Sequence, residues 1–210
     1  MEEMITEVLR YLGVRQADEA LRAELSALKD AVSSRVVPRF VWRTWMLDDQ
    51  PALDVRSSAM GCKMLAECAQ AAVLVCTLGA AFDLEVRRLS ARDMRRAALL
   101  DALGSAWVEF VCDAAEDEIR ARFSGLYLTD RFSPGYGDLP LTFQPALTDH
   151  AGARRIGVTL TDSLLMNPQK SVTAIVGLAQ TPQPARVRGC TYCTLQASCQ
   201  FRKNGSNCHV

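Results

Sequence analysis

The segment that most constrains the fold is residues 93–123, in which apolar side chains recur three or four residues apart. Acidic and arginine side chains fill the positions between them. This spacing predicts a long amphipathic helix, which we expect to be the central helix of the domain. Its apolar stripe comprises Leu99, Leu100, Leu103, Trp107, Phe110, Val111, Ala114 and Ile119.

The chain before this helix predicts further helices and an extended arm. Residues 1–33 show the spacing of two amphipathic helices, and Gly13 separates them. Residues 36–51 are typical of an arm or short strand that leads into a turn. Trp42 and Trp45 within this arm are interpreted as packing residues, as is Trp107.

A buried strand is predicted over residues 71–79, and a helix over residues 80–89. Gly79 stands at their junction, where a helix N-terminus could approach a ligand. A plain strand-to-helix connection is an equally good interpretation of this glycine.

After Gly125 the sequence is typical of a loop as far as Pro145, because four proline and glycine residues fall within 134–140. A long loop inside a domain is usually either functional or disordered. Alternating residues at 156–161 and the run 171–178 predict two strands, which flank residues 166–170 in a hairpin-like unit.

Bulk composition excludes several classes of function. Lys plus Arg equals Asp plus Glu at 24 each, so no overall field favours nucleic acid. The longest apolar stretch, residues 69–82, is shorter than the ~20 residues of a membrane-spanning helix. The N-terminus shows no secretory signal, which predicts a cytoplasmic protein whose cysteines stay reduced.

Two proline-containing segments resemble the walls of one small-molecule site. In the first, Arg131 offers a planar cation suited to a carboxylate, and Tyr136 offers an aromatic face with a hydroxyl group. Between them, Ser133, Pro134 and Gly135 predict a turn that exposes backbone groups. The second segment contains Met166, Pro168 and Ser171.

In order and spacing, these residues are similar to the activation (reactivation) domain of cobalamin-dependent methionine synthase. The similarity rests on Arg131-x-x-Pro134-Gly135-Tyr136, on residues 160–163 and on Met166-x-Pro168-x-x-Ser171-Val172, and it covers residues 70–180. It implies an α+β fold of curved shape, in which long helices pack on a twisted antiparallel sheet. The chain differs at Gly137, where the family pattern has proline.

The resemblance also implies a ligand and a partner. In that family the arginine, the turn and the tyrosine hold S-adenosylmethionine, whose methyl group remethylates cobalamin. Glu109 matches a glutamate near the ligand, and the second segment supplies the other side of the site. No Asp-x-His-x-x-Gly segment for cobalamin is present, so the chain resembles stand-alone relatives that serve a separate corrinoid protein.

Three functional hypotheses therefore stand. The first is an accessory protein that binds S-adenosylmethionine and supports reductive reactivation of cobalamin on a separate methionine synthase or corrinoid methyltransferase. The second is a scaffold or cap for such a partner that has lost the ligand. The third is a metal or electron-transfer protein that acts through its cysteine-rich end.

That cysteine-rich end predicts a metal site. Cys190, Cys193, Cys199 and Cys208 offer thiolates beginning with a Cys-x-x-Cys pair, a set suited to zinc or an iron–sulfur cluster. A docking arm or a plain reduced tail is the other interpretation. The organisation expected is an N-terminal helical region with its arm (1–52), an activation-domain-like region (53–186) and this tail (187–210).

The remaining polar and cysteine residues receive structural interpretations. Cysteine in an apolar context behaves as a small buried hydrophobe, so we expect four such cysteines in the core. The acidic run 116–118 is interpreted as a solvated helix face. Asp138 and Asp149 could bind a ligand amine, although capping of a turn is the commoner role. The four cysteines are Cys62, Cys68, Cys76 and Cys112.

Overall fold

A computed structural model describes residues 2–14 and 18–183. The helices are α1 (Glu2–Leu12), α2 (Glu19–Ser33), α3 (Ala59–Leu65), α4 (Ala80–Ser90), α5 (Met94–Arg122) and α6 (Gln144–Ala151). The strands are β1 (Arg39–Met46), β2 (Cys68–Thr77), β3 (Tyr127–Leu128), β4 (Thr159–Leu160), β5 (Met166–Asn167) and β6 (Ser171–Ala179). Short 3₁₀ helices connect some of them.

The centre of the fold is a four-stranded antiparallel sheet in the order β1-β2-β6-β3. In its register Trp42 lies opposite Leu74, and Leu74 lies opposite Ala174 on the next strand. The two inner strands are buried along nearly their whole length. Because both faces of the sheet are covered, their sequences are continuous apolar runs rather than alternating ones.

Alternate residues of the inner strands face two separate hydrophobic cores. Ala72 and Leu74 pack with α1, α2, α4 and α5, whereas Val73 and Val75 pack under α3 and α6 on the other face. Helices α1 and α2 contribute to the first core, and β1 completes the sheet. The first 52 residues therefore build the same sheet and core as the residues that follow.

The predicted central helix is confirmed as α5. Asp93 caps its N-terminus, since the Asp93 carboxylate accepts a hydrogen bond from the Arg96 amide at 3.0 Å. Cys112 on α5 and Cys76 on β2 are buried in contact with each other, and their hydrogen bond, followed by burial, raises the pKa of Cys112. These two cysteines are core residues as expected.

Two other cysteines and the tryptophans differ in their surroundings. Cys62 is exposed, so the expectation that it lies in the core is wrong: its thiol donates to the Arg56 carbonyl at the surface of α3. Cys68 is half-buried. The arm around Trp42 and Trp45 forms strand β1, where Trp45 is buried and Trp42 donates to Glu118 at 2.9 Å.

The region after β3 contains more regular structure than expected. Helix α6 begins at Gln144, with Pro145 in its first turn, where a missing N–H removes no helical hydrogen bond. The predicted hairpin of strands 156–161 and 171–178 is wrong. Strand β4 pairs with β5, whereas β6 pairs with β2 and β3. Sequence periodicity could not decide this, because pairing depends on which edge each strand meets.

Within residues 2–14 and 18–183, no helix combines the length and the apolar character that crossing a bilayer requires.

Gly104→Ala is expected to destabilise the fold although alanine favours helices. A Cβ at residue 104 of α5 would lie 2.4 Å from the Phe82 ring of α4. We expect a net loss of about 1–3 kcal/mol in the free energy of unfolding, measured by urea denaturation, because overpacking outweighs helix propensity. Ala98→Gly, at an exposed position of α5, should lower the free energy of unfolding by only ~1 kcal/mol, the difference in helix propensity between alanine and glycine. A gain in stability for Gly104→Ala would contradict this close packing.

Candidate functional site

The first predicted segment is fastened to helix α5 through Arg131. Its guanidinium group donates to Glu109, Asp113 and Glu116, each at 2.6 Å. Only 16% of the Arg131 side chain is exposed. Arg131 and Glu109, both predicted as ligand-binding residues, therefore lie together and form an ion pair with each other.

Strand alternation explains why Arg131 reaches α5. The next residue, Phe132, exchanges two backbone hydrogen bonds with Ile175 of β6, at 3.0 and 2.8 Å. The Phe132 side chain is buried in the core beneath α3 and α6. Because neighbouring side chains on an extended strand point to opposite faces, Arg131 points to the face that carries α5.

The surroundings of Arg131 keep it charged. Burial disfavours the guanidinium cation, but hydrogen bonds and the charges of the three carboxylates outweigh that effect and raise the pKa of Arg131. Glu116 is 5% exposed and also accepts from Arg120 at 2.8 Å. The interpretation of this glutamate as part of a solvated face is therefore wrong. It is a buried carboxylate held by two arginines.

The turn after Phe132 is tight and partly exposed. Gly135 has a φ of 89°, which glycine adopts without strain. The Gly135 amide donates to the Leu139 carbonyl at 2.8 Å, and the Tyr136 amide donates to the Ser133 carbonyl at 3.1 Å. Pro134 is buried, whereas Tyr136 is 68% exposed. The turn thus presents an aromatic ring to solvent.

Asp138 fixes the far end of this turn. Its carboxylate accepts hydrogen bonds from the amides of Ala59 and Met60 at 2.7 and 2.8 Å, at the N-terminus of α3. These backbone donors lower the pKa of Asp138. Helix capping is therefore the structural role of this aspartate, in agreement with the commoner interpretation.

The second predicted segment is fastened to the same helix. Lys170 lies 2.9 Å from Asp101 and donates to Ser105 at 2.9 Å, both on α5. The Ser171 hydroxyl donates to the Pro168 carbonyl at 2.7 Å and lies 2.8 Å from Thr77 Oγ1. Both Pro168 and Ser171 are buried.

Two further contacts hold this segment against α4. The Gln169 amide donates to the buried Asp83 carboxylate at 2.8 Å, and the Leu78 amide donates to the Lys170 carbonyl at 2.9 Å. The Gly79 amide donates a hydrogen bond to Thr77 Oγ1 at 3.0 Å. The junction at Gly79 is thus packed against the chain's own second segment. Met166 is half-buried and accepts from Thr173 at 3.2 Å.

Both segments meet one polar stripe on α5. Its residues follow at intervals of four and finally three, so they share a helix face. Ser105 and Glu109 are one turn apart, which separates the Lys170 and Arg131 contacts by about 6 Å along the axis. We name this set the α5 stripe; its residues are Asp101, Ser105, Glu109, Asp113 and Glu116.

The α5 stripe was only partly predicted. Glu109 was identified from the resemblance, whereas Asp101, Asp113 and Glu116 were missed. Their spacing was a usable signal, since acidic residues on one helix face opposite a buried arginine form ion pairs. Partial burial and then the charge of Glu109 raise the pKa of Tyr11 of α1, whose residue is 43% exposed.

The predicted metal ligands Cys190, Cys193, Cys199 and Cys208 lie outside the described residues. Among the residues that the structure does describe, no group of three or more histidine, cysteine or acidic side chains could hold a metal ion. The prediction of a zinc or iron–sulfur site at the cysteine-rich end stays a prediction.

Comparison with solved structures gives the class of fold. The chain is similar to a crystal structure of the MetH reactivation domain bound to AdoHcy, with a TM-score of 0.53 and 16% sequence identity. The alignment covers 90% of this chain and 73% of that chain. No protein-family model matches the sequence, and no curated protein shows a significant sequence match. The protein thus has the α+β fold of the reactivation-domain type, as predicted.

Glu116→Gln is expected to destabilise the protein more than the change at the adjacent acidic residue. Glu116 bridges Arg131 and Arg120 in a buried position, so removing its charge should lower the free energy of unfolding by about 2–4 kcal/mol. Asp117 pairs with Arg120 while 76% exposed, and Asp117→Asn should cost at most about 1 kcal/mol. Urea denaturation measures both. Equal effects would show that the buried ion pairs add no stability.

The Asp138 cap predicts a stability that depends on pH. Because its pKa is lower in the folded protein, the cap stabilises the fold fully above the ordinary value of ~3.9. This contribution is lost as the pH falls through the folded value. Asp138→Asn should therefore lower the Tm at pH 7, and the difference from the natural chain should shrink below about pH 4. A control, Asp162→Asn at an exposed position, should leave the Tm at pH 7 unchanged. A difference for Asp138→Asn that does not vary with pH would contradict the capping role.

Proposed function

We propose that the protein is an accessory reactivation protein that binds S-adenosylmethionine and supports remethylation of cobalamin carried by a separate methionine synthase or corrinoid methyltransferase. One observation carries the proposal: in a chain with the reactivation-type fold, Arg131 and Lys170 bring both predicted segments to one stripe of α5. The neighbour with this fold is bound to AdoHcy, the demethylated form of the proposed ligand.

The charge of the stripe supports a cationic ligand. The stripe carries more carboxylates than there are cations in the two segments. The cations are Arg131 and Lys170, and the carboxylates are Asp101, Glu109, Asp113 and Glu116. Excess negative charge favours a ligand that carries an ammonium and a sulfonium group. Glu109, Asp113 and Asp101, whose side chains are 33%, 52% and 51% exposed, are the carboxylates that a ligand can reach.

The chain's own residues would bind and orient the ligand. S-adenosylmethionine would supply an electrophilic methyl group for a cobalt nucleophile. In our proposal Glu109 holds the ligand ammonium, Arg131 holds its carboxylate, and the exposed Tyr136 ring stacks on the adenine, with Ser133, Pro134 and Gly135 as the turn. Met166, Pro168 and Ser171 line the opposite side. No side chain needs to transfer a proton, because such a displacement depends on positioning.

A specific contact favours a second function. Three carboxylates at 2.6 Å already take three of the five N–H donors of Arg131, and only 16% of its side chain is exposed, so a ligand carboxylate would compete with them. If that competition excludes the ligand carboxylate, the protein is a scaffold or cap that binds a corrinoid methyltransferase without a nucleoside ligand. Arg131 would then serve only to hold the turn against α5.

Isothermal titration calorimetry with S-adenosylmethionine separates the two functions. We expect saturable one-site binding to the natural chain and at least about tenfold weaker binding to Glu109→Gln, since an ion pair to a ligand is worth about 1.5–3 kcal/mol. Glu109→Gln keeps the shape of the side chain and one acceptor oxygen while removing its charge. Asp117→Asn, on the same helix but outside the stripe, should bind like the natural chain.

The outcomes are distinct. If the folded natural protein does not bind S-adenosylmethionine, the proposed ligand is wrong and the scaffold function is favoured. Binding that is unaffected by Glu109→Gln would place the ligand away from the stripe. Co-purification with a corrinoid methyltransferase tests the partner independently of the ligand, because both functions require it.

A further inference from the structure

The opposite edge of the sheet, formed by β1, has unpaired backbone groups. The Leu47 amide donates to the Ala69 carbonyl at 3.0 Å, which continues the register beyond the Met46–Gln70 pair. Because antiparallel pairs alternate, odd-numbered residues of β1 bond to β2, whereas Phe40, Trp42 and Thr44 point their N–H and C=O groups outward. A contact of 3.2 Å between His150 Nε2 and the Thr44 carbonyl agrees with this direction.

A groove of about 490 Å³ runs along this edge. Four consecutive residues, 40–43, line it, and since their side chains alternate between the faces, the groove lies at the strand edge itself. Glu118 of α5 forms the wall on one face, and Ala151 and Arg155 form the wall on the other. No described residue bonds to the backbone groups of Phe40 or Trp42 on this side. The groove therefore leaves the outward backbone groups of Phe40 and Trp42 accessible between two walls.

The groove carries unneutralised positive charge. Arg43 and Arg155 are exposed, and neither makes an ion pair with any described residue. Arg39, at the start of β1, is exposed as well. Glu118, the one acidic residue of the lining, accepts from Trp42 at 2.9 Å. Because odd-numbered β1 residues point to the face that carries Ala151 and Arg155, these arginines lie on one side of the groove, where they complement acidic side chains at alternate positions of a docked strand.

The chain itself offers a poor occupant. Residues 184–210 contain Arg186, Arg188, Arg202 and Lys203 and no acidic residue, so this segment would be repelled. Pairing of two copies through β1 would bring Arg39 and Arg43 of each copy together, and charged side chains on an edge strand oppose such self-pairing.

We propose that the β1 edge binds an acidic, extended segment of another protein by strand addition. The outward backbone groups of Phe40 and Trp42 would supply the ladder hydrogen bonds, and Arg43 and Arg155 would select the charge. This interaction is independent of the α5 stripe, because β1 and β3 are opposite edges of the sheet.

Fluorescence polarisation with a labelled peptide of alternating valine and glutamate tests the proposal on the full chain. We expect saturable binding, and at least about tenfold weaker binding of a valine–lysine peptide. A doubly changed protein, Arg43→Glu with Arg155→Glu, should lose affinity for the glutamate peptide to a similar extent. Arg154→Glu, an exposed neighbour that does not line the groove, should change it less than about twofold.

Amide hydrogen exchange followed by NMR tests the strand geometry. With the glutamate peptide bound, the amides of Phe40 and Trp42 should exchange more slowly, because each gains a backbone partner. Equal binding of both peptides, no binding of the glutamate peptide, or binding without protection of these amides would each overturn the proposal. A dimer detected by sedimentation and altered by Arg43→Glu would assign the edge to a second copy and overturn it as well.

Discussion

The ion pairs of Arg131 with Glu109, Asp113 and Glu116 are the interaction on which the candidate site depends. The segment after β3 has few regular backbone bonds of its own, and it is joined to the sheet through Thr129, which bonds to Gly177, and through the bridge between Phe132 and Ile175. Arg131 holds this segment against the central helix through three ion pairs. A buried cation with three carboxylates is stable only because each partner offsets the cost of removing the others from water.

The same helix receives the second segment through Lys170, so α5 sets the relative position of both walls of the site. A rigid helix fixes two contacts one turn apart more accurately than two loops could fix each other. The remaining excess of carboxylates makes this side of the domain suited to a cationic ligand. The site's polarity therefore follows from the same residues that hold its loops.

The two edges of the sheet differ in charge and in exposure. At β3 a following segment continues along β6 and is fastened by acidic residues of α5. At β1 the outward backbone groups of Phe40 and Trp42 have no partner among the described residues, and arginines flank them. Glu116 and Glu118 are two residues apart on α5 and project about 200° apart around the helix, so one meets Arg131 and the other meets Trp42. Helix α5 thus connects the two edges across one face of the sheet.

The sequence by itself determined helices α1, α2, α4 and α5, the inner strands and the tight turn at Gly135, because periodicity and glycine chemistry are local properties. The resemblance of Arg131 and its turn to a known domain also predicted the fold class. Only the tertiary structure decided that Glu116 is buried, that Cys62 is exposed and that β4 pairs with β5. Such properties depend on which surfaces meet, and spacing along one segment does not contain that information. The acidic residues that pair with Arg131 can therefore be read in the sequence, but their ion pairs with Arg131 form only once α5 packs beneath the edge of the sheet.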